Sequence, residues 1–216
     1  MKNGHLTINT ENLLKRDFYL RDTLTVAREL LGKYLISKKD DEILIAKIVE
    51  VEAYLGYEDK AAHTYGGRRT QRTEVMYGNA GIAYVYFTYG MHNLLNVVTR
   101  EESIGEAVLI RAVEPISEFD NFSMRRFGKN YVELNSYQKK NITNGPAKLT
   151  KAMGIDLTYN GLDMTVGEKL YIVEGESEFK ITSSKRIGID YAEEAIDYLY
   201  RFYIEGNKFV SKQIIF

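Results

Sequence analysis

Residues 82–89, Ile-Ala-Tyr-Val-Tyr-Phe-Thr-Tyr, leave the backbone little choice but a β-strand. Aromatic and β-branched side chains suit a pleated surface and lose rotamer freedom in a helix. Gly90 offers a turn, and 93–99 reads as the return strand, so the segment predicts a hairpin. Further strands are expected over 33–38 and 43–53, joined by a turn from Lys38 to Glu42. In the second, Ile43, Ile45, Lys47, Val49 and Val51 share one parity, and Leu44, Ala46, Ile48, Glu50 and Glu52 the other. Residues 106–113 predict another strand, stopped before Pro115, and 168–174 with 179–187 a late hairpin.

Helices are expected around this strand set. Asp22 or Thr23 can cap one whose apolar positions Val26, Ala27, Leu30 and Leu31 share a face, with Gly32 closing it. A second is expected near 116–127, ending at Gly128. A third starts at Asn144-Gly145-Pro146, with proline in the first turn, and ends at Gly154. A fourth, short one is expected over 191–200. Residues 129–143 are polar and carry no assignment. Residues 54–82, rich in glycine and charge, predict one long loop, the kind that is usually functional or mobile. Residues 1–10 predict a loose polar start. The whole, 1–216, reads as one α+β domain with a mostly antiparallel sheet.

Composition narrows the function classes. The 216 residues include no cysteine, which excludes disulfides, thiolate metal sites and cysteine nucleophiles, and fits a reducing cytoplasm. Three scattered histidines, His5, His63 and His92, argue against a histidine metal site. No secretory h-region and no apolar run long enough to span a bilayer is evident. Seventeen tyrosines and no tryptophan supply many flat, amphipathic rings, which suit base stacking and ordinary packing alike.

The net charge of −1 requires any nucleic-acid contact to rest on local basic patches. Two stretches qualify: Lys60, Arg68, Arg69 and Arg72, and Lys139, Lys140, Lys148 and Lys151, each without an intervening acid. Solvated loops would look the same.

Several residues could carry chemistry. Glu52 closes an apolar strand, and a carboxylate partly buried or at a cleft edge suits a general base. Glu50 and Tyr54 share its parity. From spacing alone, a strand-end carboxylate paired with a lysine or arginine is the simpler account. His63 lies beside Gly66-Gly67 and the arginines, or is a loop histidine on the surface. Tyr84 and Tyr86 share a strand face, and Tyr89 sits at or near the hairpin tip, where a rigid ring could wedge between stacked bases. Packing of all three in a core is the alternative. Asn96 is polar within an apolar strand. Arg111, inside another strand, needs a partner, and Glu52 is the obvious one.

Taken in order, Val-Glu-Ala-Tyr-Leu-Gly, Ala-Ala-His-Thr-Tyr-Gly-Gly-Arg, Tyr-Val-Tyr-Phe-Thr-Tyr-Gly-Met-His-Asn-Leu-Leu-Asn-Val-Val and Val-Leu-Ile-Arg-Ala-Val-Glu-Pro resemble the 3-methyladenine (alkyladenine) DNA glycosylase family. The likeness continues through Asn-Gly-Pro-Ala-Lys-Leu-Thr-Lys-Ala-Met-Gly-Ile and Arg-Phe-Tyr-Ile-Glu-Gly, and is weakest over 116–143. The resemblance implies a curved sheet ringed by short helices, like formyltransferase C-terminal domains. It implies a monofunctional base-excision enzyme, expected as a monomer, that flips a damaged purine from duplex DNA and hydrolyses its N-glycosidic bond. No cofactor and no metal is implied.

By the same resemblance, Glu52 is the general base and Arg111 helps to position the water. Tyr54 and His63 contact one face of the flipped base, and Tyr86 the other. Asn96 discriminates against the guanine amino group, and Tyr89 fills the gap in the duplex. Arg68, Arg69 and Arg72 are candidates for phosphate contacts. A noncatalytic nucleic-acid-binding module explains the rings and cations but leaves Glu52 idle. A small-molecule nucleosidase has no use for a ring at a hairpin tip.

Overall fold

The computed structural model describes residues 12–213. Helix α1 (Arg16–Tyr19) leads into α2 (Thr23–Leu30), which Asp22 caps by accepting a hydrogen bond from the Thr25 amide at 2.9 Å. Gly32 follows with φ +80°, and a Cβ there would lie 2.2 Å from the Glu176 carbonyl oxygen, so no other residue fits. Val26, Ala27 and Leu30 enter the core.

Strands β1 (Tyr34–Lys39) and β2 (Glu42–Tyr54) form a hairpin. Then β3 (Ala83–Thr88), β4 (His92–Thr99) and β5 (Glu106–Pro115) make a meander that returns to β2. Three short 3-10 turns punctuate the loop before β3. Helices α3 (Phe119–Phe127) and α5 (Pro146–Met153) end on the left-handed glycines Gly128 and Gly154. The unassigned stretch holds α4 (Ser136–Lys140), capped by a reciprocal Asn135–Gln138 box.

The C-terminal part departs from expectation. Strands β6 (Leu170–Val173) and β7 (Ile181–Ser184) do not pair with each other: β6 adds to β1, and β7 pairs with β8 (Arg201–Ile204). The expected helix over 191–200 is only a 3-10 turn at Glu193–Asp197, followed by β8. Its charged, mixed composition carried no periodicity strong enough to separate a turn from a short helix. The expected loose start over 1–10 lies outside the described residues. The sheet is antiparallel throughout, in the order β3-β4-β5-β2-β1-β6, and β8 lies along the second half of β2. It curls around a core shared with α2, α3 and α5, which makes the fold α+β. Among the described residues, no helix is long and apolar enough to cross a membrane.

One irregularity controls which way the functional residues face. Between β2 and β5, Ile48 pairs with Val113 but Glu50 pairs with Ala112, so Val49 is an extra residue. Two residues on, Val51 pairs with Ile110, so Arg111 is the extra residue on the other strand. The two bulges cancel and the register resumes. Their effect on side chains does not cancel, because a one-residue slip exchanges the two faces of a strand. Leu44, Ala46 and Ile48 face the main core before the bulge, whereas Val51 and Ala53 face it after. Glu50, Glu52 and Tyr54 are thereby turned to the opposite face, together with Arg111.

Candidate active site

On that opposite face lies a cavity of about 410 Å³. Tyr54 lines it from the end of β2, Tyr84 and Tyr86 from β3, Asn96 from β4, and Leu109 and Arg111 from β5. The loop before β3 contributes His63 and Arg72, and segment 187–191 contributes Ile187 and Tyr191. In sheet register, Tyr84 pairs with Asn96, Asn96 with Leu109, and Leu109 with Glu52. One transverse row of the sheet therefore carries the wall and floor of the cavity.

Glu52 lies under this floor with 0% of its surface exposed. Its polar partners all line the cavity. The Tyr54 hydroxyl donates to Oε2 at 2.8 Å, the Ile187 amide donates to Oε1 at 2.7 Å, and Arg111 Nη1 lies 3.2 Å from Oε1. A carboxylate offers about four acceptor positions. Three are taken, which leaves one on Oε2. The carboxylate raises the pKa of the Tyr54 hydroxyl after burial, the larger cause, has already done so, and the phenol stays a donor.

Glu50, two residues earlier on the same face, is also fully buried but differently held. Its oxygens accept from Arg111 Nε at 3.1 Å, Arg201 Nε at 2.7 Å, and the Ser211 amide and hydroxyl at 2.6 and 2.8 Å. Burial raises its pKa, but Arg111, Arg201 and the Ser211 amide outweigh that and hold it below the usual carboxylate range. Arg111 thus bridges both carboxylates, which satisfies an arginine inside a strand.

The aromatic wall is contiguous. Tyr84 and Tyr86 stack at 5.3 Å, and the His63 ring meets Tyr86 edge-on at 4.7 Å. His63 Nδ1 shares a hydrogen bond of 3.0 Å with the Tyr84 hydroxyl. Burial, then Arg72 and Arg68, depress the His63 pKa to about 4, so the imidazole is neutral at neutral pH. Asn96 donates through Nδ2 to the Tyr84 carbonyl at 3.1 Å.

Tyr89 stands at the β3–β4 tip, 84% exposed. Both Tyr89 and Gly90 have positive φ, as a twist-matched hairpin turn requires. Phe87 and Met91 are exposed beside it. Together they form an apolar protrusion of the kind that marks a macromolecular contact.

The basic loop is only partly free. Arg69 pairs with Glu74 and covers the Tyr77 ring, and Lys60 pairs with Glu193 and Glu194. Among the described residues, Arg68 and Arg72 have no acidic partner. Arg72 reaches over Tyr86 at the cavity.

The structure therefore brings Tyr54, His63, Tyr86, Asn96 and Arg111 to one cavity, with Glu52 buried beneath its floor, and leaves Tyr89 at its rim as a projecting ring. Sequence reasoning missed Ile187, Tyr191 and Arg186. The only local signal was Arg186-Ile187-Gly188-Ile189, an arginine in a glycine-interrupted apolar run.

A buried carboxylate beneath a slot of phenol rings, opened to solvent beside an apolar spike, is the arrangement of an enzyme site and would suit a flat ring presented by a large partner. Comparison with known proteins sharpens that class. Residues 17–208 match the model of the methylpurine-DNA glycosylase family. A Clostridium novyi (strain NT) protein, named provisionally as a 3-methyladenine DNA glycosylase, is 56% identical over 200 residues, covering 93% of this chain and 98% of the relative. A Clostridium acetobutylicum protein of the same name is 57% identical over 199 residues, covering 92% and 97%. One from Desulfitobacterium hafniense (strain Y51) is 54% identical over 199 residues, covering 92% and 98%. The chain belongs to the methylpurine-DNA glycosylase family, DNA repair enzymes that hydrolyse N-glycosyl bonds.

Proposed function

We propose that this chain is a monofunctional glycosylase of base excision repair, acting as one domain and a monomer on damaged purines in duplex DNA. Its substrates are of the 3-methyladenine, 7-methylguanine, hypoxanthine and ethenoadenine class, and it works on cytoplasmic, nucleoid DNA. The placement of Glu52 under a cavity walled by Tyr54, Tyr86 and His63 carries the reading.

A base inside a duplex is shielded, so the nucleotide must be extruded, and a damaged or mismatched base costs least. Stacking on tyrosine returns about 1–3 kcal/mol per base. Tyr54 and Tyr86 supply the opposing rings. His63 and Tyr86 now touch, so a base between them parts them to about 7 Å, two van der Waals spacings. Asn96 reads the purine edge. Tyr89 enters the gap left in the duplex, and Arg68 and Arg72 meet phosphates, with Arg69 available once it releases Glu74.

A water takes the remaining acceptor position at Glu52 Oε2. Its oxygen bonds to C1′ as the C1′–N9 bond breaks. The glycosidic electron pair leaves with the purine, and the water proton passes to Glu52. An N3- or N7-alkylated purine already carries positive charge and leaves neutral, so the second acid that sugar hydrolases use is not required, whereas a neutral lesion such as hypoxanthine must take up a proton as it leaves. The carboxylate also stabilises the cationic sugar.

The test is a panel of duplexes bearing hypoxanthine, ethenoadenine or N-methylated purines. Release of free base with an intact abasic strand is expected. No release from any of them, or strand cleavage at the lesion, overturns the reading.

A further inference from the structure

We propose that Arg186 is a positioning residue for Glu52, acting through Tyr54 and the Ile187 amide. This rests on the reading of Glu52 as the base. Two of the three polar partners of Glu52, the Tyr54 hydroxyl and the Ile187 amide, come from segments that have no rigid reason to meet. Tyr54 ends a strand, and Ile187 lies beyond β7, 135 residues from Glu52 in sequence. Arg186 ties them together.

Its side chain is fully buried. Its two terminal nitrogens grip both oxygens of Asp59, at 2.5 and 2.8 Å. The first also donates to the Ala53 carbonyl at 2.8 Å, next to Tyr54. The guanidinium plane lies 4.8 Å from the Tyr54 ring centre and 5.4 Å from that of Tyr200. Its own peptide unit is the one that presents the Ile187 N–H to Glu52. Asp59 in turn accepts from the Leu55 and Ala61 amides, each at 3.0 Å. One ion pair therefore fixes the ring of Tyr54, the direction of the Ile187 amide, and the loop that carries Ala61 and His63 to the cavity.

A planar, forked cation suits this task and an ammonium does not: it can stack and grip bidentately at once. Arg186 Nε is buried without a hydrogen-bond partner among the described residues. Such an orphan donor opposes folding, so stability alone is a poor reason for this side chain. Catalytic groups need placement within about 0.5 Å, and supporting contacts supply it.

The experiment compares Arg186→Lys with wild type on a lesion duplex, measuring affinity and the base-release rate constant under saturating single-turnover conditions. A misplacement of about 1 Å costs about 100-fold. Arg186→Lys should lose about that much rate, with a much smaller loss of lesion affinity. In a Tyr54→Phe background its effect should shrink, because the two share a route. Wild-type rate in Arg186→Lys, rate and affinity falling in parallel, or full additivity with Tyr54→Phe each overturns the proposal. If Arg186→Lys does not fold, Asp59→Asn carries the same expectation and the same refutation. Glu52→Gln is run alongside. Wild-type turnover there sinks the reading of Glu52 itself, whatever Arg186→Lys does.

Discussion

Glu50 and Glu52 project from one face of one strand, two residues apart, both fully buried, and they end in different chemistry. Glu50 is saturated: two arginines and two donors from Ser211 surround it, and none but Arg111 touches the cavity. Glu52 shares Arg111 but takes its other donors from cavity-lining groups, and one acceptor position stays open. Burial alone does not separate a purely structural carboxylate from one proposed to act as a base. The origin of the donors does, because donors that line a cavity can yield to a substrate, and donors locked in packing cannot.

Four substitutions probe that contrast, in falling order of effect. Glu52→Gln should cut single-turnover base release by about 10²–10⁴-fold or more, the usual worth of a general base. Its folding and lesion binding should persist. Retained turnover would make the two carboxylates alike.

Glu50→Gln should instead act on stability. It leaves Arg201 without its acidic partner and Arg111 with Glu52 alone, which costs about 3–5 kcal/mol in denaturant unfolding. The native pKa of Glu50 is depressed, so its contribution is complete above the ordinary carboxylate range and lost as pH falls through the lower native value. The variant should therefore flatten the acid limb of stability against pH. An unchanged limb would show that Glu50 is not held as described.

The smallest pair removes one donor each. Tyr54→Phe should slow base release with little change in melting temperature. Ser211→Ala should lower stability by about 1.5–3 kcal/mol, a hydrogen bond to a charged group, and leave the rate on folded protein alone. Crossed outcomes would erase the distinction.

Much of this was legible from residues. The strand with Tyr84 and Tyr86, the hairpin tip at Tyr89, the cap at Asp22 and the glycine stops all follow from local chemistry that the tertiary fold does not override. Four ordered blocks singled out Glu52, Tyr54, His63, Tyr86, Asn96 and Arg111 together as candidates, where spacing alone left Glu52 as half of an ion pair. That simpler account is also part of the answer, since Glu52 does pair with Arg111.

What stayed hidden is long-range. Two short strands near the C-terminus read as a hairpin because adjacency is the default. Their true partners, β1 and β8, lie elsewhere in the chain. Arg201-Phe-Tyr-Ile is four residues long and sits after a charged stretch, too short for a period to show. Arg186 gave no sign of its partners, because Asp59 is 127 residues away.

The paired bulges have a further consequence. Val49 and Arg111 are each supernumerary, one on each strand, so the pairing has the same register on either side of them. If the strands instead paired every residue in turn, Val49 with Ala112 and Glu50 with Arg111, the ladder would be uniform in the same overall register, with Glu50 and Glu52 swung into the oily interior. The strands thus have two compatible alignments in principle, and only the interrupted one keeps acid and arginine on the cavity side, so the face that carries these charges is written into a splice in the sheet.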